Sequence, residues 1–144
     1  MKTWQQWAYH GCRLGLGGLF LYAGLLKADD VPAFAGQIAA YRLLPYQVNY
    51  LLAATLPYVE ILAGGLLLAN RHIRPASLLL AAMTLVFIVA LLSVIARGFE
   101  IDCGCFGPHD SSTPQQALLR DLGLLVLAHF TFHLRNQCVA RKGV

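Results

Sequence analysis

Charged residues are scarce in this sequence. Its 144 residues include 11 Lys and Arg and 7 Asp and Glu, so only 12% are charged, whereas 58% are hydrophobic. A soluble domain usually carries about 25% charged residues. Here the charges are confined to short stretches between long apolar segments. This scarcity excludes an ordinary soluble domain and indicates a chain whose solvent is mostly lipid.

A continuous basic surface is also lacking, although the formal net charge is +4. The Lys and Arg residues occur singly or in pairs at the ends of apolar segments, where they are typical determinants of membrane topology. We therefore expect membrane lipid, and no nucleic acid, among the partners of this chain.

Four segments are long and apolar enough to cross a membrane, which takes about 20 residues of helix. We predict a single domain over residues 1–144, with an all-α fold and a bundle of four transmembrane helices. The first segment is rich in glycine, contains Arg13 and has no small-x-small cleavage site after Leu26, so we expect it to be retained. The predicted spans are Tyr9–Lys27, Leu51–Ala69, Ala76–Ala96 and Ala117–Leu134.

The distribution of Lys and Arg predicts the orientation, because these residues are enriched in cytoplasmic loops. Cytoplasmic N and C termini would leave four basic residues outside, namely Lys27, Arg42, Arg97 and Arg120. The same orientation would place seven inside, namely Lys2, Arg13, Arg71, Arg74, Arg135, Arg141 and Lys142. The outer loops would then be Ala28–Tyr50 and Arg97–Gln116.

Within the first outer loop we predict a short interfacial helix over Val31–Tyr41, because Asp30 is a good cap and Pro32 suits a first turn.

The second outer loop contains Asp102-Cys103-Gly104-Cys105. A disulfide needs Cα atoms about 4.4–6.8 Å apart, which residues i and i+2 can reach, and strain in the small ring would make the bond easier to reduce. Such disulfides tend to be catalytic or regulatory. We therefore predict that Cys103 and Cys105 form a redox pair. Asp102 would disfavour a neighbouring thiolate, whereas Arg97 or a protonated His109 would favour it.

Two other interpretations of this motif stay open. A structural disulfide is one, although so short a loop gains little from cross-linking. A metal site is the other, because paired thiolates suit soft ions such as Cu(I) or Zn(II). Its ligands would be Cys103, Cys105 and His109, with Asp102 or Asp110 close in sequence.

The motif Asp102-Cys103-Gly104-Cys105-Phe106-Gly107 follows the third apolar segment. By this motif, which is the most specific part of the resemblance, the chain resembles the methylamine-utilisation MauE proteins within the broader DoxX-like group. Other matching stretches are Gly15–Lys27, Phe34–Pro45, with its Tyr-Arg-Leu-Leu-Pro, and Leu56–Gly65. The resemblance implies a four-helix bundle in a bacterial inner membrane. It also implies periplasmic thiol–disulfide chemistry with a thioredoxin-like partner, in support of the maturation of exported proteins that contain disulfides.

Glu60 is the one carboxylate that we expect within a span, and Lys27 is its expected partner. Ionisable groups at such depth are costly and usually face a partner or a cavity. The functional interpretation is a proton or quinone site, with Tyr22, Tyr58 and Phe87 as candidate walls. The structural interpretation is an ion pair that joins two helices and aromatic residues that serve only in packing.

A second group of ligand-type residues is expected at the cytoplasmic end. His129 and His133 share a helix face because they are four residues apart, and three other residues would lie at the same level, namely His10, Cys12 and Cys138. This group could bind a soft metal, but we favour ordinary interfacial histidines and reduced thiols.

The sequence thus leads to three hypotheses. The first is a membrane thiol–disulfide oxidoreductase component that uses Cys103 and Cys105, with a quinone as a candidate electron acceptor. The second is a soft-metal binder or transporter. The third is a non-catalytic scaffold for a redox partner.

Overall fold

A computed structural model describes residues 3–101 and 111–142, with side chains up to Gln137. The described chain is entirely helical apart from turns and connections. Its helices are α1 (Thr3–Asp29), α2 (Val31–Ala40), α3 (Tyr46–Leu68), α4 (Ile73–Ala96) and α5 (Pro114–Lys142). Each of the four predicted spans corresponds to one long helix, so the predicted helical bundle is confirmed.

Within the described residues, three helices are long and apolar enough to cross a membrane. These candidate spans are Tyr46–Leu68, Ile73–Ala96 and Pro114–Gln137. The fourth long helix, α1, has 27 residues and packs along α3, but it is less apolar because Arg13 and Lys27 lie within it. Large hydrophobic side chains cover the outer surface of the bundle, as expected for contact with lipid.

The helix ends follow from local sequence. Asp30 caps α2, because its carboxylate accepts a hydrogen bond from the Ala33 backbone N–H at 3.0 Å. Thr113 and Gln116 form a reciprocal capping box at the start of α5. The short helix predicted after Asp30 is therefore present, and its Phe34 is buried against α3.

Close contact between α1 and α3 depends on glycine. A Cβ on Gly24 would lie 2.8 Å from the Pro57 carbonyl oxygen, and a Cβ on Gly64 would lie 2.7 Å from the Gly17 carbonyl oxygen. The two helices run antiparallel and approach each other backbone to backbone at these positions. Gly65, by contrast, has open space where a Cβ would be.

The bundle has two distinct ends. At the α2 end, α1 and α4 finish, α2 packs against the first half of α3, and α5 begins. At the turn end, α1 starts beside the turn that joins α3 to α4, as shown by the hydrogen bond from Tyr9 to Asn70. Arg13 donates to the Leu67 and Leu68 carbonyls there, and so satisfies backbone groups at the end of α3.

Candidate functional site

The cysteine motif is flanked by residues at the α2 end. Asp102, Cys103, Cys105 and His109 lie outside the described residues. The described chain stops at Ile101, two residues before Cys103, and resumes at Ser111.

The segment that leads to the motif is anchored on the rest of the bundle. The Arg97 guanidinium donates hydrogen bonds to the carbonyl oxygens of Tyr41 and Ser93. The Phe99 ring lies 4.9 Å from the Arg97 guanidinium carbon and 5.0 Å from that of Arg42. Phe99 and Ile101 also pack against a buried cluster of Tyr41, Leu91, Val94 and Ala117. Arg97 thus connects the segment before the motif to Tyr41, the residue that caps the C-terminus of α2.

The expected partnership of Lys27 with Glu60 is present. The Lys27 ammonium donates to both carboxylate oxygens of Glu60, at 2.8 and 2.9 Å, and each residue is 2% exposed. Its nitrogen also lies 5.4 Å from the centre of the Phe34 ring and 5.6 Å from that of Phe87. Contact with aromatic faces stabilises a cation further. The ion pair therefore joins α1 to α3, with α2 and α4 supplying the aromatic walls.

A small cavity of about 30 Å³ adjoins this ion pair. About 10–15 Å³ is enough for one water molecule, so the space suits one or two. Thr84 of α4 and the neighbouring Arg120 and Asp121 of α5 also line the cavity. The cavity is thus bordered by charged groups from both halves of the bundle.

The expectation that Glu60 is the one carboxylate within a span is wrong. Asp121 lies seven residues inside α5, about 10 Å along the helix axis, and is 4% exposed. Its Oδ1 is 3.9 Å from the Arg120 Nε. The sequence signal was the pair of adjacent opposite charges, Arg120 and Asp121, within the predicted span Ala117–Leu134. Assigning Arg120 to the outer side of the membrane left Asp121 out of the span as well.

A separate apolar cleft of about 140 Å³ lies between α2, α3 and α4, and Phe87 borders both this cleft and the charged cavity. Asn49 is buried in its wall and donates to the Leu44 carbonyl at 3.3 Å, while its Oδ1 has no partner among the described residues. Three aromatic residues were expected to line a quinone site, and only Phe87 borders the cleft. Tyr22 and Tyr58 are 58% and 61% exposed on the outer surface of the bundle. The remaining lining is mostly aliphatic, with Ile38, Tyr41, Leu43, Leu44, Leu52, Leu56, Val86 and Ala90.

The residues at the turn end do not form a metal site in the part of the chain that the structure describes, where no group of three or more ligand-type side chains converges. His129 stacks on His133 with ring centres 6.1 Å apart. His10 contacts Arg13, and Cys12 is a half-buried free thiol. The side chain of Cys138 lies outside the described residues.

Comparison with known proteins identifies one family. The family described as methylamine utilisation protein MauE matches residues 5–134. A methylamine utilization protein MauE from Paracoccus denitrificans is 38% identical over 95 residues, which is 65% of this chain and 51% of that protein. The chain therefore spans about half the length of this relative. No solved structure matches it.

Proposed function

This chain belongs to the MauE family, and from that premise we propose that it is a membrane component of thiol–disulfide exchange that uses Cys103 and Cys105. The observation that carries the proposal is a Cys-Gly-Cys sequence between two membrane helices, directly after a segment anchored by Arg97 and Phe99. A fixed approach to the motif would favour presentation of the two thiols to another protein.

The proposed reaction is exchange with a thioredoxin-like periplasmic protein. A thiolate of one protein attacks the disulfide of the other, a mixed disulfide forms, and the second thiol of the attacking pair releases it. One disulfide is reduced and one is formed, so the exchange step itself needs no other oxidant. The name of the Paracoccus denitrificans relative supports methylamine utilisation as the process served, through the maturation of an exported protein that contains disulfides.

The topology belongs to the same proposal. Cytoplasmic termini would put the α2 end and the cysteine motif on the periplasmic side of a bacterial inner membrane. Disulfides persist in that oxidising compartment. The Lys and Arg distribution supports this orientation.

Repeated oxidation of a partner would require an electron acceptor in the membrane, and we propose a quinone bound in the apolar cleft. Two thiols would give a disulfide, and the quinone would take up the two electrons and two protons to become a quinol. The Asn49 Oδ1 in the cleft wall has no hydrogen-bond partner in the described part of the chain, and it is an acceptor suited to a quinol hydroxyl. The Lys27–Glu60 pair beyond Phe87 would help to move protons.

The first experiment is a redox titration of Cys103 and Cys105 in purified protein, by thiol alkylation and mass spectrometry, with metal content measured on the same sample. We expect a reversible Cys103–Cys105 disulfide with a potential above about −300 mV, the upper bound typical of structural bridges. A pair that stays reduced and holds one equivalent of metal would replace the proposal with a soft-metal function.

Partner trapping tests the exchange step. In Cys103→Ser or Cys105→Ser, one of the two variants should accumulate a mixed disulfide with a periplasmic protein, and Cys12→Ser should trap nothing. Noncovalent partner binding that survives loss of both motif cysteines, without any mixed disulfide, would favour the scaffold hypothesis instead.

The quinone step has its own test. Leu52→Trp would fill the cleft and should slow oxidation of the reduced protein by an added quinone by roughly tenfold. Val89→Trp, on the exposed surface of the adjacent helix, should oxidise like the parent protein. Equal rates in all three proteins would remove the cleft from the proposal while leaving exchange with the partner intact.

A further inference from the structure

The turn end of the bundle carries basic residues without any acidic ones. Segments 3–13, 68–77 and 131–142 contain no Asp or Glu. They contain six basic residues, namely Arg13, Arg71, Arg74, Arg135, Arg141 and Lys142. The positive-inside rule requires Lys and Arg on one side, but it does not require acidic residues to be absent. The side chains of these three segments can therefore carry positive charge only.

The individual basic residues at this end have different roles. Arg13 is buried, and its guanidinium donates hydrogen bonds to the Leu67 and Leu68 carbonyl oxygens. Arg74 of α4 and Arg135 of α5, by contrast, line one pocket of about 230 Å³ together with His72. No carboxylate among the described residues forms a salt bridge with either arginine. Two arginines from different helices thus line one pocket.

A separate apolar groove lies between α4 and α5, and its nearest lining residues are one turn from Arg74 and Arg135 on the same two helices. It measures about 310 Å³ and extends about one to two turns from Arg74 along α4 and about one to three turns from Arg135 along α5. Its lining residues are Ser77, Leu78, Ala81, Leu125, Ala128, His129 and Phe132. A cationic mouth followed by an apolar groove matches a ligand that carries an anionic head on a hydrocarbon chain.

We propose that the α4–α5 groove binds an anionic phospholipid, with its phosphate between Arg74 and Arg135 and an acyl chain beside Leu78 and Phe132. Guanidinium groups bind phosphate oxygens through paired hydrogen bonds. Basic pockets between membrane helices on the cytoplasmic side commonly bind anionic headgroups. Free phosphate would use the mouth alone, whereas a phospholipid also fills the apolar groove. The inference is independent of the cysteine chemistry.

The test measures lipid binding by native mass spectrometry of the purified full chain in detergent. Dioleoyl phosphatidylglycerol, dioleoyl phosphatidylcholine and inorganic phosphate are added separately. We expect phosphatidylglycerol to bind at least tenfold more tightly than phosphatidylcholine, and inorganic phosphate to compete only weakly. Inorganic phosphate that displaces the lipid at comparable concentration would show an anion site without a lipid groove and would overturn the proposal.

Paired variants locate the site. Arg74→Gln with Arg135→Gln should weaken phosphatidylglycerol binding by roughly 10- to 30-fold, because each basic residue near an anionic lipid contributes about 1 kcal/mol. Arg71→Gln with Arg141→Gln removes the same charge from the same end, from the turn before α4 and the last turn of α5, and should change the affinity less than threefold. Arg74→Lys with Arg135→Lys keeps the charge and should keep most of the binding. Equal losses in the two Gln pairs would reduce the effect to general surface charge and overturn the assigned site.

Discussion

At the scale of single residues, the Lys27–Glu60 pair is the most consequential contact of the described bundle. Both charges are out of water, and each satisfies the other through two short hydrogen bonds. A buried pair of this kind is weak evidence for net stability, because desolvation offsets the attraction between the charges. Loss of one partner lowers stability strongly, because it leaves the other charge buried and uncompensated.

Glu60→Gln should therefore lower the free energy of unfolding by about 3–5 kcal/mol. The double variant Lys27→Met with Glu60→Gln should recover part of that loss, because neither charge remains. Reversible unfolding in mixed micelles measures both. Arg71→Gln, which removes an exposed charge in the turn between α3 and α4, serves as the control. A single variant as stable as the control would mean that the ion pair is not buried in the membrane-embedded protein.

At the scale of elements, the α1–α3 contact depends on which glycine of a neighbouring pair faces the partner helix. Gly64→Ala should lower the free energy of unfolding by about 1–3 kcal/mol, since the new methyl group meets backbone atoms that cannot move aside. Gly65→Ala meets nothing and should be neutral or slightly stabilising. Thermal unfolding of the two variants side by side distinguishes them. Equal effects would contradict the close approach at Gly64.

The anchored segment after α4 is a second feature at this scale. Phe99→Ala removes the ring that the Arg42 and Arg97 guanidinium groups both contact. It should speed backbone hydrogen exchange in residues 97–101 by about tenfold without a change in the unfolding of the bundle. Glu100→Ala, at the next and more exposed position, should leave the exchange rates unchanged. If the Phe99 variant exchanges like the parent protein, the cation–π contacts do not hold this segment.

At the scale of the whole molecule, the two ends of the bundle should face opposite sides of the membrane. In a cysteine-free background, Ser111→Cys at the start of the α5 segment should react with a membrane-impermeant maleimide in intact cells. Gln6→Cys near the start of α1 should react only after permeabilisation. Both positions are exposed in the fold. The reverse labelling pattern would invert the topology and place the cysteine motif in the cytoplasm.

The sequence by itself determined the helices, the short α2 and the partnership of Lys27 with Glu60. The long helices follow from the length of the apolar segments, and α2 follows from an Asp cap and the proline after it. The partnership of Lys27 follows from an acid within an apolar segment. These signals are local in the sequence, so they do not depend on knowledge of the fold. The resemblance to MauE proteins likewise came from sequence, and the comparison confirmed it. The redox role of Cys103 and Cys105 stays a prediction, because these residues lie outside the described chain.

Only the tertiary structure decided which side chains meet across helices. It brought Asp121 and Thr84 to the cavity beside the ion pair, separated Tyr22 and Tyr58 from the cleft at Phe87, and placed Arg74 and Arg135 in the lining of one pocket. The physical reason is that apolar segments are hydrophobic on every face, so their pattern does not show which face points inward. The rotation of each helix is set by packing, such as the contact of Gly17 with Gly64, and that packing exists only when the helices are assembled.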